Sequence, residues 1–71
     1  MLMAVIDTAK MATLRKKRQL TQAAAAARAK MTAQQWNNIE SGRTGRTAGV
    51  TLLTLQRLAD ALGVKPKDLL K

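Results

Sequence analysis

Five times along this chain an apolar residue precedes a capping position, and a second apolar residue follows four places after the cap. Ile6-Asp7 with Met11, Leu20-Thr21 with Ala25, Met31-Thr32 with Trp36, Val50-Thr51 with Leu55 and Val64-Lys65 with Leu69 share this spacing. It is the hydrophobic staple, in which the residue before a helix packs on the fourth residue inside it. Thr32-Ala33-Gln34-Gln35 is also a capping box. Asp7 suits the positive end of a helix dipole; Lys65 is a poor cap, but Pro66 fits a first helical turn. Gly42 and Gly63 stand where left-handed residues would close the third and fourth helices. These signals predict helices over 8–18, 22–29, 33–41, 52–62 and 66–70, each boundary good to a residue or two. No stretch alternates with period two, so no strand is expected, and residues 43–50 read as a glycine-containing loop.

Apolar side chains follow the helical period. Met11 and Leu14 share a face, as do Trp36 and Ile39; Leu52, Leu55, Leu58, Ala59 and Leu62 form a stripe, and Leu69 and Leu70 end the chain. The expectation is a single all-α domain over residues 1–71, compact and built of five helices. Its core is thin, because 13 of the apolar residues are alanine and Trp36 is the sole aromatic.

The composition removes most catalytic chemistry. There is no Cys and no His, hence no disulfide, thiolate, imidazole base or His-ligated metal, and the acids are three Asp and one Glu. Neither an enzyme nor a cofactor or metal site is expected. Met1–Ile6 is apolar, but too short for a signal peptide or a membrane span, which points to a cytoplasmic protein without membrane contact. Net charge is +9, and the segment 10–46 holds nine basic residues against the one acid Glu40. A field this one-sided attracts a polyanion.

The run Leu14-Arg15, Leu20-Thr21-Gln22, Ala26, Met31-Thr32, Trp36, Ile39-Glu40-Ser41-Gly42-Arg43 resembles the helix-turn-helix of the lambda-repressor-like family. Leu55…Leu58-Ala59-Asp60-Ala61-Leu62-Gly63-Val64 is similar to that family's fourth helix and exit turn. The resemblance covers about residues 10–70 and places the helix-turn-helix at about 22–41. Three departures stand out. Lys30 takes the place of a frequent turn glycine, and the loop at 43–50 is longer than usual. Ala25 and Ala29 stand where larger side chains are usual, and Trp36 where a smaller one is. Volume-conserving exchange is tolerated in cores, so Trp36 is expected to be buried opposite the two alanines; the rival reading is an exposed, base-stacking Trp.

The resemblance implies roles residue by residue. Ala33, Gln34, Asn37 and Asn38 are expected to face bases in the major groove, where Gln and Asn can pair with adenine N6 and N7. Gln22, Arg43, Arg46, Gln35 and Arg18 are expected at phosphates, with Gln35 also claimed by the capping box and Asn37 open to a sugar-phosphate role. Arg15 and Glu40 are implied to form an ion pair tying the first helix to the third. A carboxylate on a helix approaching DNA needs such a partner to turn it inward.

Function is expected to be sequence-specific binding of double-stranded DNA by a transcription regulator, most simply a repressor. A homodimer on a palindromic operator is expected with it, because one reading helix covers few base pairs. The alternative is an antitoxin-like or protein-interaction module on the same fold.

Overall fold

The computed structural model describes residues 3–42 and 50–71. In chain order these form strand β1 (Met3–Ala4), helices α1 (Thr8–Lys17), α2 (Gln22–Arg28) and α3 (Ala33–Glu40), strand β2 (Val50–Thr51), helix α4 (Leu52–Leu62) and a 3₁₀ turn at Pro66–Leu69.

Each α-helix starts at its predicted cap. Asp7 accepts from the Lys10 N–H at 3.1 Å, Thr21 from Ala24 at 3.0 Å, Thr32 from Gln35 at 3.1 Å and Thr51 from Thr54 at 3.2 Å. The capping box of α3 closes when the Thr32 N–H donates to Gln35 Oε1 at 2.9 Å. These bonds satisfy donors that a helix start leaves unpaired. The staples place the core: Ile6, Met11, Ala25, Trp36, Val50, Leu55 and Leu69 are buried, with Leu20, Met31 and Val64 packed against them.

Three helices stop alike. Gln19 (φ 58°), Lys30 (φ 59°) and Gly63 (φ 68°) are left-handed. In α1, the N–H groups of Gln19 and Leu20 reach back to the carbonyls of Lys16 and Arg15. Lys30 and Met31 reach Ala27 and Ala26, and Gly63 and Val64 reach Asp60 and Ala59. This is the Schellman arrangement, which pairs the last carbonyls of a helix. Lys30 thus adopts the positive φ that its place in the turn implied.

Two expectations are corrected. The segment 66–70 is not a fifth α-helix but a single 3₁₀ turn, with Asp68 N bonded to Lys65 O at 2.9 Å and Leu70 N to Lys67 O at 3.2 Å. Four residues cannot repay α-helix nucleation, and i→i+3 bonds suffice for one turn. The chain also contains strands. Met3 pairs with Thr51 and Ala4 with Val50, antiparallel, and Ile6 bridges to Leu70. The Asp7 N–H donates to Leu69 O at 2.9 Å, and the Lys71 N–H to Val5 O at 3.2 Å. The N-terminal segment therefore ties the entry to α4 to the end of the chain.

Helix α3 packs on α2 and α1, and α4 packs on α2 and the 3₁₀ turn. The α4 stripe begins at Leu55 and not at Leu52, which is half exposed; Val50, before the cap, takes the inward place instead. Leu70 is likewise largely outside, while Leu69 is buried.

Candidate nucleic-acid interface

Helix α3 divides into two faces. Trp36 and Ile39 point into the core, whereas Ala33, Gln34 and Gln35 are exposed and Asn37 and Asn38 are half-buried. The division follows from sequence, since Trp36 and Ile39 are three apart and Gln34 and Asn38 four apart. Trp36, wholly covered, shares one cluster with Ala25, Ala26 and Ala29, all buried on or beside α2. Small residues on α2 let the large indole in, so the base-stacking alternative does not apply to this side chain.

Behind the outer face lies a polar network centred on Glu40. Arg15 Nε donates to Glu40 Oε1 at 2.8 Å and Arg15 Nη2 to Oε2 at 3.2 Å, a fork-on-fork pair whose side chains are only 12% and 9% exposed. Arg15 Nη1 continues to the Leu20 carbonyl at 2.7 Å, fixing the α1–α2 connection. Gln22 Nε2 donates to Glu40 Oε2 at 2.7 Å and Trp36 Nε1 to Oε1 at 3.0 Å. Asn37 Nδ2 donates to Gln22 Oε1 at 3.1 Å. Burial by itself would push the Glu40 carboxyl up. The donors Arg15, Gln22 and Trp36, together with the Arg15 charge, outweigh it and hold the group below the usual 4.5. Those donors are needed, because Glu40 sits at the negative end of the α3 dipole.

The expected site residues are placed as follows. Ala33, Gln34 and Asn38 share the outward side of α3, where Gln34 Nε2 donates to Asn38 Oδ1 at 3.0 Å. Asn37 is turned back to Gln22, and the Gln22 amide is engaged at both ends, to Glu40 and Asn37. The Gln35 carbonyl belongs to the capping box. Arg18 is directed elsewhere: its Nη2 donates to the Gly63 carbonyl at 3.3 Å, at the end of α4. Gly63 allows this approach because a Cβ there would lie 2.7 Å from Arg18 Nη2. Arg43 and Arg46 lie outside the described residues.

The Trp36–Glu40 and Asn37–Gln22 bonds had no expectation in the sequence. The i, i+4 spacing of Trp36 and Glu40 is a usable signal for the first; the second links two helices and leaves no local trace. Among the described residues no group of acids, His or Cys can hold a metal ion, and no helix is long and apolar enough to cross a membrane.

Comparison with known proteins gives the arrangement a family. The model of the helix-turn-helix domain matches residues 8–71. Among solved structures, the restriction-modification controller protein C.AhdI from Aeromonas hydrophila aligns over 86% of both chains, at a TM-score of 0.75 and 23% identity. Two other structures contain the fold as a part. PhpD, solved with cadmium, matches 94% of this chain with 13% of its own (TM-score 0.73, 24% identity). Hydroxypropylphosphonic acid epoxidase from S. wedmorenis, in complex with fosfomycin, matches all of it with 36% (TM-score 0.77, 22% identity). At these identities the likeness is one of fold. No curated protein sequence matches. The family match runs from the first residue of α1 to the end of the chain, so that it takes in the α2–α3 turn and both partners of the α1–α3 ion pair, and the chain belongs to the helix-turn-helix domain family.

Proposed function

We propose that this chain is a sequence-specific double-stranded DNA-binding transcription regulator, acting as a repressor by occupying an operator. The observation that carries this reading is the outer face of α3. It presents Ala33, Gln34 and Asn38 to solvent while Trp36 and Ile39 root the helix in the core, on a chain of net charge +9. Amide side chains on a firmly held helix can match base edges in a major groove.

In this reading Gln34 and Asn38 contact bases and Ala33 offers apolar contact to a thymine methyl. Gln22 has one amide N–H beyond its bond to Glu40, and Gln35 has its Nε2, for phosphate oxygens. Arg43 and Arg46 follow the reading helix in sequence and serve as backbone clamps. Asn37, bonded to Gln22 through one amide N–H, holds α3 against α2. Arg18, drawn to Gly63, serves the fold. The protein works in the cytoplasm, bound to the nucleoid when on DNA, without catalysis or cofactor. A controller of the kind that C.AhdI is named for fits this assignment.

A specific observation favours a protein contact as well. Val5, Leu52, Leu53 and Leu70 are exposed large apolar side chains, on the segments that adjoin the β1–β2 pair and the chain end. They suit a homodimer reading two half-sites about 34 Å apart, or the partner of an antitoxin-like module.

Salt titration tests the nucleic-acid reading. With about five to seven phosphates neutralised per domain, log K for a duplex falls with log salt at a slope of roughly −4.5 to −6. Affinity indifferent to salt contradicts it.

A further inference from the structure

The hydrogen bond between Gln34 and Asn38 has a consequence for what α3 can select. Gln34 Nε2 donates to Asn38 Oδ1 at 3.0 Å, across one turn of the exposed face. With that bond made, the carbonyl Oε1 of Gln34 and the amino group Nδ2 of Asn38 are wholly unspent, and Gln34 keeps one further N–H. An isolated Gln or Asn offers both an acceptor and a donor and can pair with adenine on its own. Joined, the two side chains set a wholly free acceptor, Gln34 Oε1, beside a wholly free donor group, Asn38 Nδ2.

We infer that Gln34 and Asn38 act as one composite reader of a single adenine, with Gln34 Oε1 accepting from adenine N6 and Asn38 Nδ2 donating to adenine N7. This rests on the DNA-binding reading above and makes it narrower. Adenine presents this donor-and-acceptor edge in the major groove, whereas guanine presents two acceptors. The mutual bond also removes rotamer freedom before DNA arrives, so less order is lost on binding. Neighbouring side chains do not compete for the pair. Gln35 is held by the Thr32 cap, Asn37 by Gln22, and Ala33 has no polar atom. Asn38 bonds Ser41 only through its backbone carbonyl, which substitution of its side chain leaves intact.

The test is binding-site selection from a random-sequence duplex library with the full chain and with Gln34→Ala, Asn38→Ala and the double variant. Each single variant is expected to lose its base preference at the same A·T position. Affinity for the wild-type-selected duplex falls about tenfold or more in each, and the double variant falls little further. Single variants that relax two different positions, or that leave every preference intact, overturn the composite reader and leave DNA binding standing. A wild-type chain that enriches no sequence overturns the DNA-reading assignment itself, and the composite reader with it. Neither exposed Gln34 nor half-buried Asn38 belongs to the buried core, and an unchanged melting temperature confirms that each alanine variant is folded.

Discussion

Trp36 Nε1 donates to Glu40 Oε1 at 3.0 Å, one turn further along α3. The only indole of the chain therefore fills the core with its ring and steadies a carboxylate with its N–H. The bond orients the Glu40 side of the α1–α3 contact, since the same Oε1 accepts from Arg15. The outer face of α3 is thus held from behind by Trp36, Glu40 and Arg15.

Trp36→Ala is expected to lower stability by about 3–5 kcal/mol, the range for removing a fully buried Trp. A domain of this length is held by only roughly 4–10 kcal/mol, so the variant is expected to lose a large share of its stability and to melt at a clearly lower temperature. Trp36→Phe keeps most of the ring but not the Nε1 donor, and its loss should be smaller. Thermal and urea unfolding of the two variants measure the difference.

Glu40→Gln leaves the Arg15 guanidinium largely covered without its counter-charge. The expected loss is near the lower end of about 3–5 kcal/mol, because both side chains retain some solvent access. The pH dependence has a definite sign. The carboxyl is held below 4.5 in the folded protein, so its stabilisation is complete above that value and is lost as pH falls through the folded value. Denaturant midpoints between pH 7 and pH 3 should fall more steeply for the wild type than for Glu40→Gln. With no His in the chain, stability between pH 6 and 8 should be nearly flat.

Opposite substitutions separate the left-handed helix ends. Lys30→Gly is expected to raise stability by up to about 1 kcal/mol, as a non-glycine residue at φ 59° is strained. Gly63→Ala is expected to lower it by at least about 1 kcal/mol, because the new Cβ adds strain at φ 68° and displaces the Arg18 guanidinium. Calorimetric melting checks both signs.

What the sequence made legible was local. Capping and staple positions depend on residues within five places of one another, and they located the four α-helix starts at Asp7, Thr21, Thr32 and Thr51. The Arg15–Glu40 pairing and the placing of Trp36 opposite Ala25 and Ala29 rested on a family resemblance that supplies long-range partners, whereas the burial of Trp36 was marked locally by its staple to Met31. Where partners are distant and no such pattern exists, nothing in the order of residues showed them. The pairing of Met3 with Thr51 is too short to alternate, and its bonds span most of the chain. The Arg18–Gly63 bond joins residues 45 apart in sequence. Gln19 is left-handed with no glycine to mark it, because the Schellman bonds and the burial of Leu20 behind it set the turn. Leu52 fits the period of α4 yet faces outward, since periodicity gives a face without saying where the core ends.

Asn37→Ala separates holding from reading. It removes the donor to Gln22 without altering the bonded pair Gln34 and Asn38. Binding should weaken by a similar factor on selected and scrambled duplexes, with the selected sequence unchanged. Competition binding with the two duplexes measures this.

The placement of DNA on α3 is tested most directly by titrating a selected duplex into ¹⁵N-labelled protein and following backbone and side-chain amide resonances. The account predicts that the largest shifts fall on the start of α2 at Gln22 and on α3 from Ala33 to Asn38, with the side-chain amides of Gln34 and Asn38 among them. Shifts confined to Leu52, Leu53 and Leu70, or no shifts at any duplex concentration, would contradict it.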